Sequence, residues 1–342
     1  SVRVVARRQS ALGCRNTGGH DQPPNPPSLE VWCSVRILVW IWISASVAAS
    51  VSAQPTASAA ARARELVPVG STSAPAEQAP KLGEFIRQID GVLAPSAVAF
   101  GPGGELYIAE AGGNRVAVFS AEGTWLRYIG DTGSEDGTTA SQPTRPAPAG
   151  AESGQFDRPG GLALAPDGTL FVSDTGNHRV QVFSSAGEWV RSIGQRGANP
   201  DEIYEPRGLA ADASRVYVVD SGNHRVQVFS HDGQRQNTLG AYGTSARPGD
   251  MRNPRAVAID SRGRIYVADT DNHRIHIFTA DGNPTTMFGE RGYMPGLMAE
   301  PRGIAIANEL LFLADSLNHR IQVVDLGGTK KYDWGLHVIR PR

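Results

Sequence analysis

Cysteine is scarce in this chain, and its scarcity limits the chemistry open to most of the sequence. Among the 342 residues there are two cysteines, Cys14 and Cys33, both near the first residue. The part after Cys33 therefore has no disulfide framework and no paired cysteines of the kind that hold structural zinc. Its fold must depend on packing and hydrogen bonding.

An excess of charge of either sign is missing as well. The chain has 33 basic and 34 acidic side chains, which gives a formal net charge of −1. Domains that bind nucleic acid are usually clearly basic, and binding to an anionic membrane surface requires a polybasic segment. We therefore expect neither nucleic acid nor a lipid surface as a partner.

Methionine is absent before Met251. Residues 1–34 also show no regular pattern, and they include the proline-rich run DQPPNPPS, which argues against a packed element. We expect residues 1–34 to be untranslated or unstructured.

Residues 35–53 have the layout of a secretory signal peptide. Arg36 is followed by an apolar run over 37–43 and then by small residues up to Ala53, after which cleavage is expected. The alternative is a retained membrane anchor, but the apolar run is shorter than the ~20 residues that span a bilayer. The prediction is an exported protein, periplasmic or extracellular, with anchoring through 35–53 as the alternative. The Ala-, Ser- and Pro-rich residues 54–80 predict a flexible linker.

Sustained helical periodicity is also missing, and short strand-like runs take its place. The 39 glycines and 23 prolines lie mostly between short apolar runs rich in β-branched and aromatic residues. This pattern predicts many short strands joined by turns. An all-β protein is therefore expected.

One ten-residue segment recurs along the chain. It reads DTGNHRVQVF at 174–183, DSGNHRVQVF at 220–229, DTDNHRIHIF at 269–278 and DSLNHRIQVV at 315–324, with a degenerate copy, EAGGNRVAVF, at 110–119. The aspartates that begin the four close copies are 46, 49 and 46 residues apart. Each copy lies within a unit of four strand-like runs. Four antiparallel strands repeated about every 45 residues predict the blades of a β-propeller.

These units divide the chain into predicted blades. The propeller is predicted over 81–335, and its five repeats span about 91–130, 156–194, 203–240, 251–289 and 298–335. An insertion over 131–155 is predicted to be disordered. Residues 336–342 are predicted to form a C-terminal tail. The first run of each unit consists of small residues and suits the crowded innermost position. The fourth run has larger residues, such as Trp125, Trp189 and Phe288, and suits the periphery.

Residues 205–240, EPRGLAADASRVYVVDSGNHRVQVFSHDGQRQNTLG, resemble an NHL repeat. The resemblance lies in the Asn-His-Arg-Val-Gln-Val run after an aromatic-Val-x-Asp strand, and it extends over about residues 84–335. It implies an NHL repeat-containing protein, and such propellers usually close with six blades. GEFIRQI at 83–89 matches the fourth strand of a further unit, so we expect six blades with the last one incomplete, and a five-bladed ring is the alternative. The family includes RNA-binding, protein-binding, structural and enzymatic members, so the resemblance does not define a function.

The recurrence of the Asp-Asn-His-Arg motif predicts a structural role. A catalytic constellation serves one substrate and breaks internal symmetry, whereas a feature that every blade needs repeats with the blades. The Asp can accept backbone N–H groups of the turn, Asn suits a turn position with positive φ, Arg can pair with an Asp, and His can donate to a carbonyl. The predicted structural residues are Asp174, Asn177, His178, Arg179, Asp220, Asn223, His224, Arg225, Asp269, Asn272, His273, Arg274, Asp315, Asn318, His319 and Arg320. The first unit has Asn114 where the others have His.

Three arginines that follow a proline are the candidate binding residues. They are Arg207, Arg255 and Arg302. The loop that enters a first strand and the turn between the second and third strands open on the same face of a blade, so we expect these side chains near the channel mouth. A partial ring of guanidinium groups there can bind a carboxylate, a phosphate or an acidic peptide. The alternative is ordinary ion pairing, because Glu205 and Glu300 precede two of the prolines.

These patterns predict an exported propeller that acts as a non-catalytic binding or interaction module. Its expected partner is a protein, a peptide or a small anionic ligand, and the protein is expected to be a monomer. No catalytic residue, metal ligand or cofactor is predicted. The alternative is a metal-dependent lyase or lactone hydrolase of the peptide-amidating-lyase or lactonase type, which would need calcium or zinc in the central channel. The innermost runs contain no histidine that could hold such a metal.

Overall fold

The structure, a computed structural model, describes residues 88–130 and 146–335. Contacts divide the chain into two units, Ser1–Val35 and Arg36–Arg342, and the first unit lies wholly outside the described residues. The predictions for residues 1–34, the signal peptide, the linker and the C-terminal tail also concern residues outside this description. In the described ranges, no helix is both long and apolar enough to cross a membrane.

The described residues form five antiparallel sheets of four strands, and in each sheet the strands lie in chain order. Blade one consists of β1 (Pro95–Phe100), β2 (Leu106–Glu110), β3 (Arg115–Phe119) and β4 (Trp125–Ile129). Blade two consists of β5 (Pro159–Leu164), β6 (Leu170–Asp174), β7 (Arg179–Phe183) and β8 (Trp189–Ile193). Blade three consists of β9 (Pro206–Ala211), β10 (Arg215–Asp220), β11 (Arg225–Ser230) and β12 (Arg235–Leu239).

A short parallel pair, β13 (Ala241–Tyr242) and β14 (Asp250–Met251), precedes blade four. Blade four consists of β15 (Ala256–Ile259), β16 (Ile265–Asp269), β17 (Arg274–Phe278) and β18 (Pro284–Phe288). Blade five consists of β19 (Pro301–Ala307), β20 (Leu310–Asp315), β21 (Arg320–Asp325) and β22 (Lys330–Gly335). In blades two to five a 3₁₀ turn joins the second and third strands, at Thr175–Asn177, Ser221–Asn223, Thr270–Asn272 and Ser316–Asn318.

Packing between neighbouring blades forms the core. The middle strands of blade two are buried on both faces, because a neighbouring blade covers each side of the sheet. Between blades two and three, Phe171 and Val180 pack against Val216 and Phe229, and all four are at most 1% exposed. Burying a side chain such as Phe171 contributes about 1.5–3 kcal/mol.

The first strands of consecutive blades pack against one another, β1 on β5, β5 on β9, β9 on β15 and β15 on β19. A Cβ atom on Gly161 would lie 2.1 Å from the Arg207 carbonyl oxygen, and one on Gly208 would lie 2.6 Å from the Arg255 carbonyl oxygen. This crowding explains the small residues of the first strands, since larger ones would force the backbones apart. The predicted all-β propeller of four-stranded antiparallel blades is confirmed, while a sixth blade stays a prediction.

The predicted disordered insertion over 131–155 requires a correction in its second half. Residues 131–145 lie outside the described residues, but Ala147 is buried. The Gly150 carbonyl oxygen accepts a hydrogen bond from Asn177 Nδ2 at 2.7 Å. The part after residue 145 is therefore the linker into blade two. It is held in place because its carbonyl groups accept hydrogen bonds from polar side chains of that blade.

Candidate functional site

The antiparallel topology brings three kinds of segment to one end of the blades. The start of each first strand, the turn between the second and third strands, and the linker from the preceding blade all lie at this end. We call this end the motif face, defined in each blade by the Asp-Asn-His-Arg turn, for example residues 174–179 of blade two. The predicted structural and binding residues all lie on the motif face.

In blade two, the Asp174 carboxylate is the centre of a buried hydrogen-bond network. It accepts the backbone N–H of Asp157 at 2.8 Å, Arg179 Nε at 2.8 Å, Asn177 Nδ2 at 2.9 Å and Gln181 Nε2 at 3.0 Å. Asp174 is fully buried, and burial raises the pKa of its carboxyl group although these donors act against the rise. A buried carboxylate is stable only with such a set of donors.

The same network recurs around Asp220, Asp269 and Asp315. Each accepts a backbone N–H from the linker before its blade. The side-chain donors are Asn223, Arg225 and Gln227 for Asp220, Asn272, Arg274 and His276 for Asp269, and Asn318, Arg320 and Gln322 for Asp315. In blade one, Glu110 and Arg115 form a fully buried pair at 2.8 Å. These repeated bonds support the structural interpretation of the motif, because each network fastens a linker to its blade.

The left-handed backbone position of the turn lies on His rather than on Asn. His178, His224, His273 and His319 have φ values between 53° and 58°. Asn114, which replaces His in blade one, has a φ of 50°. The Asn of the motif instead lies in the 3₁₀ turn, because its amide must reach back to the Asp carboxylate three residues earlier.

The His ring accepts a hydrogen bond, whereas the sequence suggested that it donates one to a carbonyl. His178 Nδ1 accepts the backbone N–H of Glu205, which lies in the linker into blade three, at 3.1 Å. The equivalent bonds join His224 to Asn253 and His273 to Glu300, both at 3.0 Å. In blade one, Asn114 Oδ1 accepts the N–H of Arg158 at 3.0 Å. The positive φ of the residue before each proline, 52° at Glu205, turns its N–H toward the ring.

An imidazole that accepts at Nδ1 must be neutral. Burial, followed by the charge of Arg196, lowers the pKa of His178. Burial, followed by the charge of Arg291, lowers the pKa of His273 in the same way. Both shifts favour the neutral ring and agree with its role as an acceptor.

A hydroxyl group adds a second bond between neighbouring blades. Thr175 Oγ1 donates to the Pro206 carbonyl oxygen at 2.6 Å. Equivalent bonds join Ser221 to Pro254 at 2.6 Å and Thr270 to Pro301 at 2.7 Å. In blade one Ala111 stands in place of Thr175, and Ser96 of the first strand donates to the Pro159 carbonyl oxygen at 2.6 Å instead. We call the hydroxyl bond and the His (or Asn114) bond together the latch. Each latch ties one blade to the start of the first strand of the next.

Two of the three candidate arginines form ion pairs. Arg302 Nη2 lies 2.7 Å from Glu300 Oε2, and Arg207 Nη2 lies 3.7 Å from Glu205 Oε2. The four side chains are between 29% and 47% exposed. Partly exposed pairs of this kind contribute about 0–1 kcal/mol, so they do not prevent either arginine from binding another anion.

Arg255, in the blade between these two, lacks such a carboxylate. Asn253 stands where an acid precedes the other two prolines, and no described carboxylate oxygen lies within 4.0 Å of the Arg255 guanidinium. Its Nε atom is buried and has no hydrogen-bond partner within the described ranges. Burial, followed by the charges of Arg207 and Arg302, lowers the pKa of Arg255. The charges of Asp271 and Glu300 act in the opposite direction, but no described carboxylate is in direct contact with this guanidinium.

The linkers contribute aromatic side chains that the sequence pattern did not single out. Tyr204 stacks on His178 with ring centroids 4.8 Å apart. Tyr242 lies 5.0 Å from His224 and is 65% exposed, and Tyr293 is 71% exposed. The linkers after blades two, three and four thus each present one tyrosine on the motif face. Aligning the linkers with one another would have revealed this recurrence.

Other polar features lie at the opposite end of the blades. Asp212 and Asp260 close turns there, and each accepts a backbone N–H, from Ser214 and Arg264 respectively, at 2.8 Å. A cavity of about 220 Å³ between blades three and four opens at the same end and is lined in part by Arg215. In the part of the chain that the structure describes, no group of three or more His, Cys, Asp or Glu residues is placed to hold a metal ion.

Comparison with known sequences identifies the repeat. A family model for the NHL repeat matches residues 156–183, 204–229 and 251–278, in blades two, three and four. The chain is 37% identical over 67 residues to RING finger protein nhl-1 of Caenorhabditis elegans, covering 20% of this chain and 7% of that protein. It is 27% identical over 114 residues to Protein brain tumor of Drosophila melanogaster, covering 33% of this chain and 11% of that protein. The chain thus matches only a small part of the length of either relative.

Solved structures share the fold at low sequence identity. A nidogen/laminin complex contains a chain that superposes with a TM-score of 0.54 and 15% identity, covering 72% of this chain and 81% of that chain. A virginiamycin B lyase from Staphylococcus aureus superposes with a TM-score of 0.51 and 14% identity, covering 72% of each chain. At such identity the likeness concerns the fold alone. The described residues thus form a β-propeller in which three blades match the NHL repeat and one hydrogen-bond network recurs from blade to blade.

Proposed function

We propose that this propeller is an exported, non-catalytic binding module that contacts an anionic ligand on its motif face through Arg207, Arg255 and Arg302. The observation that carries the proposal is the half-buried guanidinium of Arg255, which has no described carboxylate within ion-pairing distance. The fold does not decide between binding and catalysis, because its structural neighbours include both an assembly and a lyase.

The chemistry of the three side chains indicates the class of ligand. A guanidinium donates two parallel N–H bonds to a carboxylate or a phosphate, and charge-assisted bonds of this kind are about twice as strong as neutral ones. Arg207 and Arg302 flank Arg255 closely enough to lower its pKa by repulsion. A ligand with several negative charges relieves this repulsion as well as satisfying Arg255. An acidic peptide segment meets both requirements.

The proposal is tested by calorimetric titration with a hexaglutamate peptide, using hexaglutamine as the uncharged probe. The native protein binds hexaglutamate and not hexaglutamine, and Arg255→Gln weakens the affinity about tenfold or more, since a hydrogen bond to a charged group contributes about 1.5–3 kcal/mol. Arg191→Gln, on the outer strand β8, is the matched control and leaves the affinity unchanged. Equal affinity for the two peptides, or an unaffected Arg255→Gln variant, would refute the proposal.

Export rests on the layout of residues 35–53 and has a separate test. The chain is expressed from its natural host with its own N-terminal segment, and the mature protein is analysed by N-terminal sequencing and mass spectrometry. Export with cleavage predicts a first residue of Gln54 and recovery outside the cytoplasm. A cytoplasmic protein that retains residues 35–53 would contradict it.

A further inference from the structure

A single glutamate connects the latch of blade two to one of the candidate arginines. The backbone N–H of Glu205 donates to His178 Nδ1 at 3.1 Å, and the carboxylate of the same residue lies 3.7 Å from Arg207 Nη2. Burial and the charge of Arg196 lower the pKa of His178, whereas the charge of Glu205 acts to raise it. The Glu205 carboxylate thus interacts electrostatically with the latch ring as well as with the arginine.

The linker into blade five has the same arrangement. The backbone N–H of Glu300 donates to His273 Nδ1 at 3.0 Å, and its carboxylate oxygen Oε2 lies 2.7 Å from Arg302 Nη2. Burial and the charge of Arg291 lower the pKa of His273, whereas the charge of Glu300 acts to raise it. Two of the three candidate arginines are therefore paired with a carboxylate that also interacts with a latch histidine.

The linker into blade four has the same latch without the carboxylate. The backbone N–H of Asn253 donates to His224 Nδ1 at 3.0 Å, and its side-chain amide bonds to Asp271 at 3.3 Å rather than to Arg255. Protonation of His224 therefore has no glutamate to draw from the neighbouring arginine. The chain itself provides the comparison that separates the effect of the glutamates from the effect of an added charge.

Other charged groups face the two rings as well. They are Arg196, Arg158 and Asp157 at His178, and Arg291, Asp271 and Asp269 at His273. Their carboxylates pair with arginines that are not candidate binding residues: Asp157 with Arg158 at 3.1 Å, Asp271 with Arg252 at 3.8 Å and Asp269 with Arg274 at 2.9 Å. Of the carboxylates near the rings, the two linker glutamates are thus the ones that couple them to candidate arginines.

Protonation reverses the role of the ring in this arrangement. Both rings are half-buried, so a proton reaches them from solvent. An imidazolium has a hydrogen on each nitrogen, so Nδ1 no longer accepts the backbone N–H of the glutamate but repels it. The φ values of Glu205 and Glu300, 52° and 49°, lie in the left-handed region, which is strained for these residues and persists only while their bonds hold it. A released linker can turn its carboxylate toward the imidazolium, where a charge-assisted bond becomes available.

We propose that protonation of the latch histidines His178 and His273 increases the affinity of the motif face for anions. On protonation, the two linker glutamates leave their arginines and pair with the charged rings. Arg207 and Arg302 then join Arg255 as guanidinium groups without a carboxylate partner. This regulation rests on the proposed function, since it acts on the same three arginines.

Calorimetric titration at pH 7.5 and pH 5.0 tests the coupling. The probe is a hexamer of cysteic acid, because its sulfonates stay charged at both pH values, whereas glutamate side chains begin to take up protons near pH 5. Each partly exposed ion pair accounts for a factor of up to about five in affinity, so the native protein should bind the probe about five- to twentyfold more tightly at pH 5.0. Circular dichroism at both pH values checks that folded protein is compared.

Asparagine variants of the latch separate protonation from the other effects of pH. His178→Asn with His273→Asn keeps the latch, as Asn114 does in blade one, but cannot take up a proton. Its gain in affinity at pH 5.0 should fall to about twofold or less. His224→Asn is the matched control, because its linker residue is Asn253, and it should keep most of the native gain.

Glutamine variants of the linkers test the other half of the coupling. Glu205→Gln with Glu300→Gln should bind the probe at pH 7.5 about as tightly as the native protein does at pH 5.0, and should gain little on acidification. Binding and protonation are linked, so the probe should raise the pKa of His178 and His273, measured by nuclear magnetic resonance, more than that of His224. This difference should vanish in the glutamine double variant.

The outcomes separate the regulation from the site itself. No binding of the probe at either pH, an equal or weaker affinity at pH 5.0, or a full gain in the asparagine double variant would overturn the coupling. Loss of the gain in His224→Asn would also overturn it, because added charge rather than the glutamates would then be the cause. Failure of hexaglutamate to bind at pH 7.5 would instead reject the proposed function, and the coupling with it.

Discussion

Replacing His178 is the sharpest test of the latch, because the chain itself offers the conservative variant. His178→Ala removes the acceptor of the Glu205 N–H, a loss of about 1 kcal/mol for a half-buried donor. It also removes the ring stacked on Tyr204, which contributes about 0.5–1.5 kcal/mol. The expected loss in the free energy of unfolding is therefore about 1.5–2.5 kcal/mol.

His178→Asn keeps the hydrogen bond and is expected to lose only the ring contact with Tyr204, about 0.5–1.5 kcal/mol. Asn114 makes the same bond in blade one, at 3.0 Å and with a φ of 50°, so an amide oxygen fits this turn. Asn also tolerates the left-handed backbone conformation better than most residues. Urea unfolding at pH 7.5, followed by tryptophan fluorescence and circular dichroism, measures both variants. Equal destabilisation by Ala and by Asn would refute the latch, because it would mean that the hydrogen bond contributes nothing.

The same histidines predict how stability depends on pH. Burial lowers the pKa of His178 and His273 in the folded protein below the unfolded value near 6.5. The folded state therefore binds protons more weakly than the unfolded chain. The contribution of these groups is fully present above pH 6.5 and is lost as the pH falls through the lowered pKa values. Native protein should lose stability between pH 7.5 and 5, and His178→Asn should reduce that loss. An unchanged pH dependence would contradict the neutral-acceptor assignment.

Three further outcomes follow from the same contacts. Asp220→Asn should lower the free energy of unfolding by about 3–5 kcal/mol, because it leaves Arg225 without its buried partner. Asp232→Asn, on an exposed turn, is the control and should change it little. Similar urea midpoints for the two variants would contradict the network. Gly161→Ala should destabilise the folded protein by at least about 1–3 kcal/mol, since its methyl group would meet the Arg207 carbonyl oxygen at 2.1 Å. A variant with the melting temperature of the wild type would show that the inner strands can separate freely. Calcium or zinc at about 1 mM, which is about 1,000 times a micromolar dissociation constant, would stabilise a protein that binds it by about 4 kcal/mol. If the propeller is a non-catalytic binding module, the melting temperature should stay unchanged on addition of either ion; a rise would favour the metal-dependent lyase or hydrolase.

Much of the fold was open to prediction because its signals are local and repeated. A strand such as RVQVF and the turn before it are recognisable within about ten residues, and the recurrence of the motif reveals the blades without knowledge of any contact. The structural interpretation of Asp174 and its equivalents came from the same recurrence. The boundary of the insertion was wrong because residues 146–155 carry no strand pattern, and they are held by carbonyl groups that any residue supplies.

By itself, the sequence determined the strands, the blade repeat and the choice of arginines as candidates. The tertiary structure decided that His178 accepts a hydrogen bond, that its backbone rather than that of Asn177 is left-handed, and that Arg255 alone among the three candidates lacks a described carboxylate partner. The physical reason is distance along the chain. The partner of His178 lies 27 residues away in the next blade, and the surroundings of Arg255 come from three blades, so these roles exist only once the blades have packed together.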